Sequence, residues 1–333
     1  MIVRNRISII TPSYNQAAYL EQTIQSVLSQ SYPEIEYILV DGGSNDGSLD
    51  IIQRYMGRLA WWVSEPDEGQ AGAINKGFKR ATGEFVAWIN SDDTYLPGAI
   101  EAAVKALQKN PQAGMVYGNM LAVNGQGEII NLLRYRQCKL EDLLQFYILG
   151  QPAVFFRKTV LEQAGYLDER YHYMLDHHLW IRMAALAPMV YVDEFWASAR
   201  YHSGAKNIAQ PEGFTREAYH LAERLLIDPQ LCDRARPISR KIWAGAHRTG
   251  AFYLLDAEKP RQALAAYARC FWAYPSTVLQ DWRRVLYAAA SLVLNGEKYR
   301  QRYLQRRYQL VRKEYQQLIS TKKAPYPKLR FKE

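Results

Sequence analysis

Val86-Ala87-Trp88-Ile89-Asn90-Ser91-Asp92-Asp93 is the stretch that decides the fold of this chain. Four apolar residues in a row are typical of a strand that is covered on both faces, as in a parallel sheet. Two adjacent carboxylates, Asp92 and Asp93, follow where this strand ends. In open α/β sheets, ligands bind outside the carboxyl ends of the strands. The stretch therefore predicts a ligand site, although Ser-Asp-Asp in isolation would more often cap a following helix.

Carboxylates at this position suit a hard divalent cation. Mg²⁺ usually binds one or two protein carboxylates together with phosphate oxygens of a substrate. Asp92 and Asp93 thus stand where a cation and a phosphate would bind.

Two earlier apolar runs also end in polar loops. Ile7 to Ile10 leads into residues 11–15, and Tyr37 to Val40 leads into residues 41–47. Apolar residues at helical spacing separate the runs, so we predict α/β units with right-handed crossovers and a mostly parallel sheet flanked by helices. In such a sheet the three loops share one edge. For each loop alone, an ordinary βα turn rich in Gly, Asn and Asp is the alternative.

The composition is that of a folded protein with excess positive charge. The 333 residues are 48% hydrophobic, and this length predicts about two domains. A formal net charge of +9 favours anionic partners such as nucleotide phosphates, acidic lipid or nucleic acid. The three cysteines are widely spaced, which predicts neither a disulfide framework nor a zinc site. Without a membrane-spanning run or a signal-peptide pattern, a cytoplasmic location is expected.

Several of these motifs together resemble the family 2 glycosyltransferases of GT-A fold. The matching segments are 8–15, 40–44, 46–47, 64–70, 73–77 and 89–93, followed by 175–180 and 200–202. The resemblance implies transfer of a sugar from a nucleotide-diphosphate-sugar donor, with a UDP-sugar as the first expectation. It also implies a divalent cation, Mg²⁺ or Mn²⁺, and inversion at the anomeric carbon. The acceptor would be a hydroxyl of a glycan or of a lipid-linked glycan in surface polysaccharide biosynthesis.

The resemblance assigns the donor site to residues of the predicted edge. Those that would contact the nucleotide or lie beside the donor are Thr11, Pro12, Tyr14, Asp41, Asn75, Lys76, Asn90 and Ser91. Within this set, the ring of Tyr14 would stack on the base and Asp41 would hydrogen-bond to the nucleotide.

The metal would be held by Asp92, which falls on the last carboxylate of the family's Asp-x-Asp motif. Asp93 and His202 are the further candidate ligands. Asn90 occupies the first position of the motif, where a carboxylate is expected. An amide can hydrogen-bond to a ribose hydroxyl, but it adds no charge near the metal.

Asp176 is the candidate general base. It lies near the start of a predicted helix, Met174 to Ala187, at the second position of the family's Glu-Asp pair, where Leu175 replaces the first acid. Taken alone, Asp176 would be an acid favoured by the dipole at the start of a helix. Asp168 and Glu169 in the preceding turn are the next candidates for the base.

Histidines cluster around this helix, but they do not predict a metal centre. His177 and His178 are neighbours, so on a helix they point about 100 degrees apart and make a poor chelating pair. Solvent or packing roles are expected for both.

The pattern changes near Ser203, and we divide the chain into a GT-A domain, 1–210, and a helical C-terminal region, 211–333. Ile242 to Pro275 resembles one tetratricopeptide-type hairpin, but an ordinary helical appendage is preferred because single repeats are rarely stable. From Glu297 onward, basic residues alternate with apolar positions at helical spacing. Such a tail fits peripheral attachment to an anionic membrane surface and a packed helix with a solvated basic face equally well.

Three functions compete at this point. The first is an inverting, metal-dependent glycosyltransferase. The second is a catalytically silent nucleotide-sugar binder or scaffold, suggested by Asn90, Leu175 and the helical tail. Nucleic-acid binding is suggested by charge alone and is not expected, because the basic tail contains no nucleic-acid-binding motif.

Overall fold

The computed structural model describes residues 2–293, 305 and 308–318. The elements of the first part are β1 (Val3–Ser13), α1 (Ala17–Leu28), β2 (Ile35–Asp41), α2 (Ser48–Tyr55), β3 (Trp61–Ser64), α3 (Gln70–Arg80), β4 (Gly83–Trp88), β5 (Thr94–Tyr95) and α4 (Ala99–Lys109). Those of the middle part are β6 (Met115–Asn124), β7 (Ile129–Leu133), α5 (Leu140–Leu144), β8 (Val154–Arg157), α6 (Lys158–Ala164), α7 (Leu175–Leu186) and β9 (Met189–Tyr201). The last part is helical: α8 (Lys206–Ala209), α9 (Pro211–Leu225), α10 (Cys232–Ala235), α11 (Ser239–Asp256), α12 (Pro260–Ala273), α13 (Pro275–Leu279) and α14 (Trp282–Val293).

The strands form one nine-stranded sheet in the order β3-β2-β1-β4-β8-β6-β9-β5, with β7 beside β6. β3, β2, β1 and β4 are parallel to one another, as the alternation of strands and helices predicts. β8 enters between β4 and β6 and is antiparallel to both. The α/β class and the helix-flanked sheet are confirmed.

The sequence pattern predicts two strands in the region of β6, Met115 to Tyr117 and Met120 to Val123, and it predicts a hairpin between the second of these and Ile129 and Ile130. The structure has one strand of ten residues, of which the first nine are buried. Gly118 lies at the predicted break, and a Cβ atom there would stand 2.6 Å from the ring of Trp196. The glycine is therefore a site of close packing rather than a turn. The predicted hairpin into β7 is present.

The described residues divide into two compact units. The first comprises 2–138, 149–200 and 315–318, and it contains nearly the whole sheet. Its core joins one face of the sheet to α1, α2 and α4. The second comprises 139–148, 201–293, 305 and 308–314.

A helical hairpin of α11 and α12 forms the centre of the second unit. Its apolar core includes Leu254, Ala263, Tyr267 and Ala288, the last contributed by α14. None of the described helices is both long and apolar enough to cross a membrane.

The predicted basic tail lies largely outside the described residues. Residues 308–318 are helical, and Val311, Tyr315 and Leu318 on one face are buried, whereas Leu310 is 68% exposed. Burial of this face favours the packed-helix alternative for the part of the tail that the structure describes.

Candidate functional site

The loops after β1, β2 and β4 meet at one edge of the first unit, because β1 lies between β2 and β4 and is parallel to both. Side chains join the first two loops. The Asn15 backbone N–H donates to Ser44 Oγ at 2.8 Å, and Asn15 Oδ1 accepts from the Asn45 N–H at 2.9 Å. Tyr14 is 62% exposed beside them. Its ring is thus accessible at the edge where the sequence predicts stacking on a base.

Asp41 shapes the second loop from inside the protein. The residue is fully buried, and its carboxylate accepts hydrogen bonds from the N–H groups of Gly43 at 3.1 Å and Ser44 at 2.9 Å. The hydroxyls of Ser44, at 2.6 Å, and Ser64, at 2.7 Å, donate to it as well. These contacts use about the whole acceptor capacity of a carboxylate. Asp41 therefore holds the loop in place, and its contact with a nucleotide stays a prediction.

Thr11, Pro12 and Ser91 are buried at the same edge. Thr11 Oγ1 shares a hydrogen bond of 3.0 Å with the hydroxyl of Tyr37. Burial of the tyrosine raises its pKa, so the phenol stays neutral and remains able to donate. The donor contacts assigned to Thr11, Pro12 and Ser91 by resemblance also stay predictions.

Asp67 is an acid at this edge that the sequence analysis does not single out. A Cβ atom on Gly42 would lie 2.7 Å from Asp67 Oδ2, so the carboxylate approaches the backbone of the β2 loop as closely as only glycine permits. Asp67 Oδ1 accepts from the Gly69 N–H at 2.8 Å. In the sequence, the sign of this close approach is the Gly42-Gly43 pair after a strand, because glycine lets another group come close to the backbone.

Asn90 is the centre of an amide network at the end of β4. Its Oδ1 accepts from Gln70 Nε2 at 2.8 Å. Its Nδ2 donates to Gln151 Oε1 and to Asp93 Oδ2, both at 3.3 Å. Gln151 Nε2 in turn donates to the Trp88 carbonyl oxygen at 2.7 Å. The two glutamines were not predicted, because their contacts with Asn90 are set by tertiary packing.

The two adjacent carboxylates differ in environment. Asp93 is buried, and its Oδ1 accepts from the Arg200 N–H at 2.9 Å. Burial, followed by repulsion from Asp92, raises the pKa of Asp93 well above its usual range. Asp92 is partly exposed. Of the pair, Asp92 is thus the carboxylate better placed to meet a ligand at the edge.

No group of three or more His, Cys, Asp or Glu side chains in the described parts of the chain is arranged to hold a metal ion. Asp92 nevertheless fits a cation that takes most of its ligands from a diphosphate and water. His202 follows the last strand and belongs to the second unit. The metal-binding roles of Asp92, Asp93 and His202 stay predictions.

Asn75 and Lys76 are neighbours on α3 but point to different surroundings. Asn75 is buried, and its Nδ2 donates to the Leu167 carbonyl oxygen and to Glu169 Oε1, both at 2.9 Å. Its Oδ1 accepts from the Leu167 N–H at 3.0 Å. Asn75 thereby fixes the loop that precedes α7. Lys76 forms an ion pair of 2.6 Å with Glu65.

Asp176 lies in the first turn of α7 and is partly exposed, with Oδ1 accepting from the His177 N–H at 2.7 Å. One turn later, the ring of Trp180 stacks on Trp88 with 5.1 Å between ring centroids. Phe156 packs edge-on against both rings. Because Trp88 ends β4, this stack ties the helix that carries Asp176 to the strand that leads to Asp92.

Two neighbouring groups are poorly suited to proton transfer near neutral pH. Hydrogen bonding from the Arg170 side chain lowers the pKa of Asp168 to about 2. Burial lowers the pKa of His178 to about 3, and its ring packs against Tyr171 with 4.4 Å between centroids. Asp168 is therefore a weak base, and His178 has the packing role that the sequence predicts.

Known proteins resemble this chain in sequence and in fold. Residues 8–165 match the model of the family described as Glycosyl transferase family 2. Over this segment, the chain is similar to glycosyltransferase family 2. The putative teichuronic acid biosynthesis glycosyltransferase TuaG of Bacillus subtilis is 38% identical to it over 166 residues, which are 49% of this chain and 65% of that protein. The UDP-Glc:alpha-D-GlcNAc-diphosphoundecaprenol beta-1,3-glucosyltransferase WfgD of Escherichia coli is 27% identical over 176 residues, 53% of this chain and 68% of that one.

Solved structures share the GT-A fold. The S. aureus protein TarS, residues 1–349 in complex with UDP-GlcNAc, superposes with a TM-score of 0.60 at 19% identity, over 87% of this chain and 95% of that chain. The mannosyltransferase PcManGT of Pyrobaculum calidifontis, in complex with GDP-Man and Mn²⁺, gives 0.57 at 21% identity, over 91% and 85%.

The likeness to curated relatives is partial in length. The chain covers 36%, 64% and 54% of three uncharacterised glycosyltransferases, two from Rickettsia species and one from Nostoc.

Proposed function

We propose that this protein is an inverting glycosyltransferase. It would move a sugar from a nucleotide-diphosphate-sugar, with UDP-sugars as the first choice, to a hydroxyl of a glycan or lipid-linked acceptor in surface polysaccharide biosynthesis. The donor class is supported by TarS, whose structure contains UDP-GlcNAc, and by WfgD, which is named for a UDP-Glc donor. WfgD is also named for a diphosphoundecaprenol acceptor.

The observation that carries the proposal is the link between β4 and α7. The Trp88–Trp180 stack anchors the helix of Asp176 to the strand that leads to Asp92. A partly exposed carboxylate on each element suits the two needs of direct displacement: charge balance at the leaving diphosphate and a base for the attacking hydroxyl.

Each residue then has a defined task. Tyr14 would stack on the base, and Asp92 would hold a divalent cation, Mg²⁺ or Mn²⁺. When bound, such a cation neutralises charge on the departing diphosphate. Asp176 would accept the proton of the acceptor hydroxyl while that oxygen bonds to the anomeric carbon and the bond to the diphosphate breaks. Attack opposite the leaving group inverts the anomeric centre.

Asp176→Asn tests the proposal, because it keeps the shape of the side chain and removes its basicity. We expect normal folding, near-normal donor binding and a loss of transfer of at least about a hundredfold. Asp168→Asn is the matched control. Since the carboxylate of Asp168 is a weak base, with a pKa of about 2, this variant should keep its activity.

Transfer is measured with a panel of UDP-sugars and synthetic polyprenyl-diphosphate acceptors in the presence of Mn²⁺. Near wild-type transfer by Asp176→Asn would show that Asp176 is not the base, and Glu169 would then be tested. A wild-type protein that binds nucleotide sugars but neither transfers nor hydrolyses them would favour the silent binder, which the neutral Asn90 and Leu175 also fit.

We also propose that α12 to α14 attach the protein to the surface of an anionic bilayer. Trp272 of α12 is 80% exposed and Leu279 of α13 is 65% exposed. Trp282 and Leu286, which are four residues apart on α14, are 52% and 59% exposed. Arg283 lies over the Trp282 ring at 5.2 Å, and the sequence after Glu297 is strongly basic. Exposed tryptophans beside basic groups are typical of helices that lie in the membrane interface.

Vesicle co-sedimentation tests this attachment. The double variant Trp272→Ser/Trp282→Ser should bind vesicles of phosphatidylglycerol less than the wild type, and binding should fall with salt because each basic group adds about 1 kcal/mol of electrostatic attraction. Ile227→Ser is the control, since Ile227 is 60% exposed elsewhere in the same unit. Equal binding by all three proteins would refute the attachment.

A further inference from the structure

Arg200 is a buried cation at the centre of the candidate site. It is 6% exposed, near the end of β9. Its Nε donates to the Asp92 carbonyl oxygen at 3.0 Å, and its Nη2 donates to Gln22 Oε1 on α1 at 2.8 Å. Its Nη1 reaches the carbonyl oxygens of Asn124 and Gly125 in the β6–β7 turn, at 3.3 and 3.2 Å. One side chain thus ties the Asp92 turn to two other elements.

Most of the acceptors of this guanidinium are backbone carbonyl oxygens. Burying a charge is costly unless it is paired or fully hydrogen-bonded. Here the hydrogen bonds go to backbone carbonyls and to an amide, and the guanidinium lies 4.7 Å from the centroid of the Tyr19 ring. The planar fork of arginine satisfies several fixed acceptors at once, which a lysine ammonium cannot reproduce.

Arg200 also separates the two adjacent acids. Its backbone N–H holds the Asp93 carboxylate inside the protein at 2.9 Å, while its side chain holds the Asp92 peptide oxygen. The Asp93 N–H closes the turn on the Asn90 carbonyl at 3.1 Å. These contacts fix the peptide groups of the turn, on which Asp92 occupies a partly exposed position.

We propose that Arg200 is a positioning residue for Asp92, acting through the turn to aim its carboxylate at the metal–diphosphate part of the donor. This inference rests on the proposed function. Asn90 is neutral and Asp93 faces inward, so Asp92 is the carboxylate of this motif that would bind the metal. Metal affinity should therefore depend more strongly on the direction of the Asp92 carboxylate than it would in a motif with two outward-facing acids. Losing such a positioning contact typically costs about 10- to 100-fold in metal affinity.

Arg157 provides a matched control. Its Nε and Nη2 donate to the carbonyl oxygens of Ala113 at 3.0 Å and Leu107 at 2.7 Å, and its guanidinium lies 5.3 Å from the Phe85 ring centroid. Arg157 pairs with Phe85 near the start of β4, away from its carboxyl end. Replacing it removes similar backbone contacts, together with an ion pair of 3.1 Å to Glu84, without touching the Asp92 turn.

The test compares Arg200→Lys and Arg200→Met with Arg157→Lys and Arg157→Met. UDP affinity is measured by calorimetry with and without Mn²⁺, next to the thermal midpoint. Mn²⁺ should raise the UDP affinity of the Arg200 variants by a factor at least about tenfold smaller than in the wild type. Their UDP affinity without metal should be unchanged. The Arg157 variants should keep that gain even where they lower the midpoint equally. The proposal would be overturned if the Arg200 variants keep the Mn²⁺-dependent gain in UDP affinity. It would also be overturned if the Arg200 and the Arg157 variants all lose this gain in proportion to the drop in their thermal midpoints.

Hydrogen exchange of the peptide over residues 90–95 separates this inference from the proposed function. If the wild type shows no Mn²⁺-dependent gain, the donor site is wrong, but exchange still reports on the turn. Arg200→Lys should then accelerate exchange in this peptide while Arg157→Lys leaves it unchanged. Equal exchange in both would refute the positioning role. Should Arg200→Met fail to fold, Arg200→Lys, which keeps the charge, decides the outcome.

Discussion

Replacing Asn75 by alanine should loosen the loop that leads into α7. The change removes the two hydrogen bonds between the Asn75 side chain and the Leu167 backbone, at 2.9 and 3.0 Å, and the one to Glu169 at 2.9 Å. Each of the two buried bonds contributes about 1 kcal/mol, whereas the bond to the exposed Glu169 contributes little. A local loss of about 2 kcal/mol corresponds to a roughly 30-fold faster exchange of the Leu167 amide hydrogen.

Hydrogen exchange followed by mass spectrometry over residues 165–171 measures this effect locally, which suits a chain with two compact units. Asn110→Ala is the control, because Asn110 Nδ2 binds the Ala106 carbonyl oxygen at 2.8 Å at the end of α4. It should leave the 165–171 peptide unchanged. Sugar transfer by Asn75→Ala should fall while UDP affinity stays constant, since Asn75 acts through the loop.

A different result would restore the role assigned by resemblance. If Asn75→Ala lowers UDP affinity and exchange of the loop changes by less than about threefold, which is under 1 kcal/mol, then Asn75 contacts the donor directly. The loop-fixing interpretation would then be refuted.

Two further predictions concern charge. Asp92→Ala should abolish the metal-dependent part of donor affinity without lowering the thermal midpoint, and calorimetry that gives equal affinities with and without chelator in wild type and variant would contradict the assignment. His178 has a pKa of about 3 in the fold against about 6.5 unfolded, so the unfolded chain binds more protons between these values. Stability should therefore fall as the pH drops through this window, by up to about 1.4 kcal/mol per pH unit. His178→Phe keeps the contact with Tyr171 and should flatten that slope in acid denaturation; an unchanged slope would refute the burial argument.

The parallel half of the sheet was predictable because its signal is local. Ile7 to Ile10 and Tyr37 to Val40 are apolar runs followed by polar loops, and such runs are required wherever both faces of a strand are covered. The entry of β8 between β4 and β6 has no such signal. Its partners are chosen by pairing between residues far apart in the chain, as Phe85 with Arg157 shows.

A sequence motif gives the positions of residues along the chain but not the directions of their side chains. Asn75 and Lys76 fall in one matching segment, yet consecutive helical residues point about 100 degrees apart. One therefore faces the interior and the Leu167 loop, and the other pairs with Glu65 outside. Which of two neighbours faces inward depends on the surface that the helix packs against, and a short polar motif does not contain that information.

An amide at position 90 suits the hydrogen-bonding groups that surround it. Asn90 Nδ2 donates to Asp93 Oδ2 and Gln151 Oε1, and an aspartate there could donate to neither. It would instead place a second carboxylate against Asp93, whose pKa burial already raises. Because Gln151 is itself held by the Trp88 carbonyl oxygen, the amide network leaves little freedom for Asp93 to turn outward. The amide at the first position of the family motif is therefore compatible with the inward-facing Asp93, and in the proposed metal site Asp92 would supply the carboxylate of this turn.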